Sequence, residues 1–158
     1  MEKEITFARN LVKGKIAETV FAQMLRQTEQ FTILEFGYEK IIPDLIKNRY
    51  GEKNEMLNTL RTAPDFAVIN RKSREVQLVE VKYQKELNVE YVLRYARRMS
   101  ESWNPSYLFI ATLDGFYSDE INEIIKNNGN IRPLDHPQIS KEIQEKYLSI
   151  IQDFEKGK

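Results

Sequence analysis

The stretch PDFAVINRKSREVQLVEVKY, residues 64–83, decides how the chain is read. Two runs of β-branched and apolar residues, Pro64 to Asn70 and Glu75 to Tyr83, flank a polar NRKSR segment, the pattern of two strands joined by a hairpin turn. Strand side chains alternate, so Val76, Leu78, Glu80 and Lys82 share one face, and Gln77, Val79, Val81 and Tyr83 share the other. An acid and a lysine therefore stand side by side on an otherwise apolar face. A second acid, Asp65, opens the preceding strand. Taking a carboxylate or an ammonium out of water costs several kcal/mol unless it is paired or coordinates a metal, so such a placement points to chemistry as well as to structure. The plain alternative is a Glu80–Lys82 ion pair at the edge of a sheet, with both ends in water.

Working outward, Phe31 to Gly37 (FTILEFG) reads as an earlier strand. Leu87 to Trp103 reads as an amphipathic helix with Val89, Val92, Leu93, Ala96 and Met99 inward, ended by Asn104-Pro105. Tyr107 to Leu113 (YLFIATL) is apolar on both faces, which suits a central strand. A strand, helix, strand connection with a right-handed crossover sets it parallel to the strand bearing Glu80. Ser118 to Asn128 reads as a helix opened by Ser118, Asp119 and Glu120 and closed by Asn128-Gly129. Ile139 to Phe154 reads as the last helix. Upstream, Ala8 to Leu25 has apolar residues at helical spacing, including Leu11, Val12, Val20, Phe21 and Met24, and is expected to be a largely buried helix. Glu18 lies seven residues from both Leu11 and Leu25, so it shares a direction with leucines and needs a partner; Lys15 is the bland candidate.

The 158 residues suit one compact domain, and eight Tyr, eight Phe and one Trp argue against disorder. With no cysteine, disulfides, cysteine zinc sites and thiol catalysis are excluded. The charged start MEKEITFARN does not read as a signal peptide, and no run reaches membrane-spanning length, so a cytoplasmic protein with no membrane partner is expected. Twenty-four basic and twenty-four acidic residues cancel, which removes any global attraction to phosphate and leaves only local patches.

With Asp65, Glu80 and Lys82 set out, the chain resembles the PD-(D/E)XK nuclease superfamily, whose motif is an acid at the start of one strand and acid-x-lysine on the next. The motif stands here as Pro64-Asp65 and Glu80-x-Lys82, and the resemblance covers roughly Lys13 to Leu113. It implies an α/β fold with a restriction-endonuclease-like three-layer core. A mixed sheet of four to five strands would be flanked by helices in the order α-β-β-β-α-β. The domain would be single, 1–158, with a core over 7–113, an insert over 38–62 and a C-terminal helical elaboration over 118–156. Mg²⁺ is the implied catalytic metal, with Mn²⁺ able to substitute. The first core helix of that superfamily often gives a glutamate to the metal site, which assigns Glu18 as an auxiliary acid. Lys13-Gly14 upstream is similar to the start of that helix in Holliday junction resolvases, which implies a homodimer.

Hard divalent cations take oxygen ligands, and Asp65, Glu80 and the main-chain carbonyl of Val81 could supply three of them. Lys82 would orient the attacking water and offset developing negative charge, and Gln84, two residues on, would hold the water or the phosphate. Pro43-Asp44 is a weaker rival for the place of Pro64-Asp65. DNA is the expected partner, with Lys13, Lys15, Lys47, Arg49, Arg61, Arg94 and Arg97 as candidate contacts. The bland reading of Arg94, Arg97 and Arg98 is a solvated helix face paired with Glu90 and Glu101. The expected activity is Mg²⁺-dependent DNA phosphodiester hydrolysis in repair, recombination or mobile-element defence. Two other functions fit the same residues: an inactive nuclease-fold module that binds nucleic acid or protein, and a different phosphohydrolase or plain α/β domain with an ordinary salt bridge.

Overall fold

A computed structural model describes residues 2–37, 59 and 62–157, and within them four helices and a five-stranded mixed sheet. The first helix, α1 (Glu2–Gln27), meets no breaker beyond Gly14. Glu2 and Glu4 in its first turn and Arg26 in its last complement the helix dipole. Its C-terminal part is buried through Ala17, Val20, Phe21, Ala22, Met24 and Leu25. Leu11 and Val12, expected inside, are 57% and 48% exposed. Apolar spacing marks the face of a helix but not how far along it the cover extends.

The strands β1 (Phe31–Glu35), β2 (Phe66–Asn70) and β3 (Val76–Tyr83) run antiparallel in that order. Asn70 makes the β2–β3 turn: its Oδ1 accepts the N–H groups of Lys72 (2.9 Å) and Ser73 (3.2 Å). Arg74 takes the left-handed conformation (φ 67°) that closes the turn. The second helix, α2 (Val89–Ser102), is capped by Asn88, whose Oδ1 accepts from Tyr91 N. It carries the chain to β4 (Tyr107–Ala111), which pairs parallel to β3 as expected. Alternation then divides β4 between two cores. Phe109 and Ala111 join α1, Val79 and Val81 on one face, and Leu108 and Ile110 join Val92, Ala96 and Met99 of α2 on the other.

One element departs from the expectation. Phe116–Glu120 is a strand, β5, antiparallel to β4, and the helix after it, α3 (Ile121–Lys126), is short. Ser118, Asp119 and Glu120 look like a helix start, yet β4 offers a complete ladder partner and Phe116 packs on Phe109. The cap is Glu120, whose carboxylate accepts from Asn122 N and Glu123 N, while buried Asp119 is held by a bidentate pair with Arg132. The last helix, α4 (Lys141–Lys156), starts at Ser140 and packs against α1. The sheet order β1-β2-β3-β4-β5 places β3, the strand with Glu80 and Lys82, in the middle. Among the described residues no helix is long and apolar enough to cross a membrane.

Candidate active site

The β2–β3 ladder runs from Ile69 opposite Val76 to Phe66 opposite Val79, so β2 stops while β3 continues to Tyr83. Asp65 stands just beyond that stop. Its Oδ2 accepts the main-chain N–H of Val81 at 2.9 Å, which replaces the strand bond that β2 no longer provides. In an extended residue the N–H and C=O leave the strand on the same side, so the Val81 carbonyl faces the same gap as Asp65.

Glu80 and Lys82 lie on the opposite face from Val81, beside Leu108 and Ile110 of β4. Lys82 Nζ sits 3.2 Å from Glu80 Oε2, and the two side chains are 32% and 18% exposed. The pair is therefore half-buried at the centre of the sheet, not at its edge. Glu80 Oε1 is buried and meets no hydrogen-bond donor. On the other side of Asp65, α1 supplies Glu18, which pairs with Lys15 at 3.4 Å.

Three acids consequently meet in sequence: Glu18 against Asp65, and Asp65 against Glu80. Burial, followed by the Glu80 charge, pushes the Asp65 carboxyl up to about 7, against the opposing pull of the Val81 N–H and Lys82. Burial, followed by the Asp65 charge, raises Glu18 as well, and Lys15 only partly offsets it. Such mutual repulsion is what a bound cation relieves. Among the described residues no group of three or more His, Cys, Asp or Glu side chains is arranged to hold a metal. The set at issue contains only two such side chains, Asp65 and Glu80, with a main-chain carbonyl as the third donor. These are hard oxygen donors, one of them a buried carboxylate oxygen without a donor of its own, and they fit Mg²⁺ or Mn²⁺.

The acids are reached from two sides. A cleft of about 750 Å³ is lined by Lys15, Glu18, Asp65, Glu80, Lys82 and Arg98, among others. A second, of about 550 Å³, is lined by Lys13, Glu18, Asp65, Val81, Lys82 and Lys85, among others. Every proposed catalytic residue except Gln84 lines one or both. Gln84 turns to the start of α2, where its Oε1 accepts Asn88 N at 2.8 Å and its buried Nε2 finds no acceptor. It lies beyond the end of β3, so strand alternation no longer sets its direction.

The candidate DNA contacts separate in the same way. Lys15 lines the larger cleft. Lys13 is taken up in the structure: its Nζ lies 2.8 Å from Glu155 Oε1, only 17% of its side chain is exposed, and Tyr83 bonds the same carboxylate. Arg94 and Arg97 are exposed on α2, and it is their neighbour Arg98 that reaches the cleft. Lys47, Arg49 and Arg61, and the rival acid Asp44, lie outside the described residues. His136 is a turn residue against Phe31, its Nδ1 accepting Gln138 N.

Sequence reasoning missed Tyr95. Its ring lies 5.0 Å from Lys82 Nζ and lines the larger cleft. The signal was present in its position, three residues after Val92 and four before Met99, at the flank of the buried stripe of α2. No protein-family model matches the chain, and no curated protein matches it.

Proposed function

We propose that the chain is a metal-dependent nuclease that hydrolyses DNA phosphodiester bonds on a restriction-endonuclease-like core. One observation carries the proposal. Asp65, immediately before β2, and Glu80 from β3 meet beside the Val81 main chain, with Lys82 against them. The order α1-β1-β2-β3-α2-β4, with three antiparallel strands and then a parallel one, supports it, since that is the order the resemblance implies.

In this account Asp65, Glu80 and the Val81 carbonyl would hold Mg²⁺ or Mn²⁺, which would supply Lewis-acid polarisation of the phosphate and activation of water. The chain's own residues do the rest. Lys82, kept in place by Glu80 and the Tyr95 ring, positions the water and offsets negative charge on the phosphate. The Val81 N–H fixes the Asp65 carboxylate, so that little reorganisation is needed when substrate arrives. Glu18, with its raised pKa, can hold a proton at the rim of the site and exchange it with water.

The test is cleavage of labelled linear duplex, single-stranded, flapped and four-way-junction DNA with Mg²⁺ or Mn²⁺, with Asp65→Ala and Lys82→Ala alongside. Metal-dependent cutting that disappears in both variants is the expected result. Metal binding without any cutting would favour the inactive binding module. The specific observation behind that second reading is that Lys82 and Lys15 already pair with Glu80 and Glu18.

A further inference from the structure

Cations lie over the aromatic rings of α2: Arg94 and Arg98 from the helix itself and Lys82 from β3. Lys82 Nζ is 5.0 Å from the Tyr95 ring centroid, and the Arg98 guanidinium is 5.7 Å from the same ring. The Tyr95 and Tyr91 rings are 6.5 Å apart with planes 22° from parallel, and the Arg94 guanidinium lies 5.0 Å from Tyr91. A continuous run of ring surface and positive charge thus leads from Lys82, inside the acid site, outward along one side of α2.

Core packing does not account for its outer end. Tyr91 is 47% exposed and belongs to neither hydrophobic core, whereas Tyr95 is half-buried at the edge of one. The chain as a whole carries no net charge, so a phosphate ligand must be gathered by local cations such as these. Cations alone would serve a duplex backbone. Rings interleaved with guanidinium groups suit something different, because the faces of paired bases are covered by their neighbours and only unpaired bases can stack on a side chain.

We propose that Tyr91, Tyr95, Arg94 and Arg98 form a stacking platform for unpaired nucleobases that leads a single strand to the Asp65–Glu80–Lys82 site. The proposal rests on the nuclease reading for what happens at the end of the platform, but not for the platform itself. Tyr91 and Tyr95 stack the bases, Arg94 and Arg98 neutralise the intervening phosphates, and a duplex is held less tightly because it offers backbone only.

The experiment is fluorescence anisotropy of a labelled single-stranded oligothymidine and of a labelled duplex, in EDTA so that neither is cut. The proteins are wild type, Tyr91→Ala, Tyr91→Phe and Arg94→Ala. Wild type should prefer the single strand. Tyr91→Ala should weaken that binding by about fivefold or more, the change that one lost base stack produces, and leave duplex binding unchanged. Tyr91→Phe should restore it, since the ring and not the hydroxyl does the stacking. Arg94→Ala should weaken binding and flatten its salt dependence. Equal affinity for strand and duplex, or a Tyr91→Ala variant that binds like wild type, overturns the platform. Loss of the underlying nuclease reading looks different: single-strand binding persists and depends on Tyr91, but no metal supports cutting.

Discussion

Asp65 Oδ2 accepts the Val81 main-chain N–H at 2.9 Å, one step beyond the last paired residue of β2, and thereby anchors a buried acid against Glu80. The Asp65 carboxyl, pushed from 3.8 up to about 7 by burial and by Glu80, keeps its proton in the folded protein over a range where the unfolded chain has lost it. The native state then binds more protons, so unfolding free energy falls as pH rises from about 4 to about 7. In metal-free buffer the Asp65 carboxyl should make wild type melt higher at pH 5 than at pH 8. His136, lowered by burial, contributes the opposite slope, so the comparison must be made within a pair of proteins. Asp65→Asn, which keeps an acceptor for Val81, should gain on wild type most at pH 8 and distinctly less at pH 5, where only part of the Asp65 contribution has been lost. Thermal melts of both at the two pH values decide it, and parallel slopes would reject the assigned role of the carboxyl.

A divalent cation should reverse the same repulsion. At pH 8, Mg²⁺ or Mn²⁺ at about a hundredfold its dissociation constant should add about 2.7 kcal/mol, a rise of about 5–10 °C in Tm for a domain of this size. Glu80→Gln and Asp65→Asn should each lose most of that rise while remaining folded in far-UV circular dichroism. Titration calorimetry gives the stoichiometry, one strong site. A Tm indifferent to metal, or an equal rise in both variants, would leave Glu80 and Lys82 as an ordinary salt bridge.

How much of this was legible beforehand depends on which pattern each segment carried. PDFAVIN and EVQLVEVKY are β-branched and apolar with a polar turn between them, and YLFIA is apolar on both faces, so the hairpin follows from composition and the parallel strand from the right-handed crossover through a helix. FYSDE does not show its state. Ser118 and Asp119 serve a helix start as well as a strand, and only the ladder with β4 and the pair with Arg132 choose between them. At the site, Asp65, Glu80 and Lys82 were readable as charges on strands, whereas the Asp65–Val81 bond depends on where β2 ends. Tyr95 was legible only in part for a related reason: helical spacing places it at the flank of α2 but cannot say that β3 delivers Lys82 beneath it. Lys13 misled because a basic residue near a candidate acid is equally compatible with a buried partner, here Glu155.

Lys82 should affect both stability and chemistry. Its pair with Glu80 is half-buried, so Lys82→Ala should lower the urea midpoint by more than loss of a surface pair would, with the protein still folded. If the proposed activity holds, removing one preorganised cation should lower the single-turnover cleavage rate by about 10²-fold or more. Lys82→Arg should restore little, because a planar guanidinium cannot occupy the place of a point charge between Glu80 and the Tyr95 ring. A Lys82→Ala variant that cuts at the wild-type rate would remove the lysine from the mechanism.

The cluster of Lys13, Tyr83 and Glu155 is structural. Glu155 is 5% exposed on α4, and both Lys13 from α1 and the Tyr83 hydroxyl from β3 converge on its Oε1. The three side chains tie the C-terminal helix to the first helix and to the central strand. Burial, and the Glu155 carboxylate beside it, raise the Tyr83 hydroxyl well above the usual phenol range, so it stays protonated and donates at any working pH. Lys13→Met deletes the cation 2.8 Å from a buried carboxylate and should cost about 2–4 kcal/mol, read as a lower urea midpoint with an unchanged slope. Tyr83→Phe removes one hydrogen bond to a charged acceptor and should cost about 1.5–3 kcal/mol. Because the two changes share one acceptor, the double variant should fall short of the sum of the singles. If Lys13→Met instead left stability unchanged and weakened DNA binding with a reduced salt slope, Lys13 would return to the nucleic-acid surface and Glu155 would need another explanation.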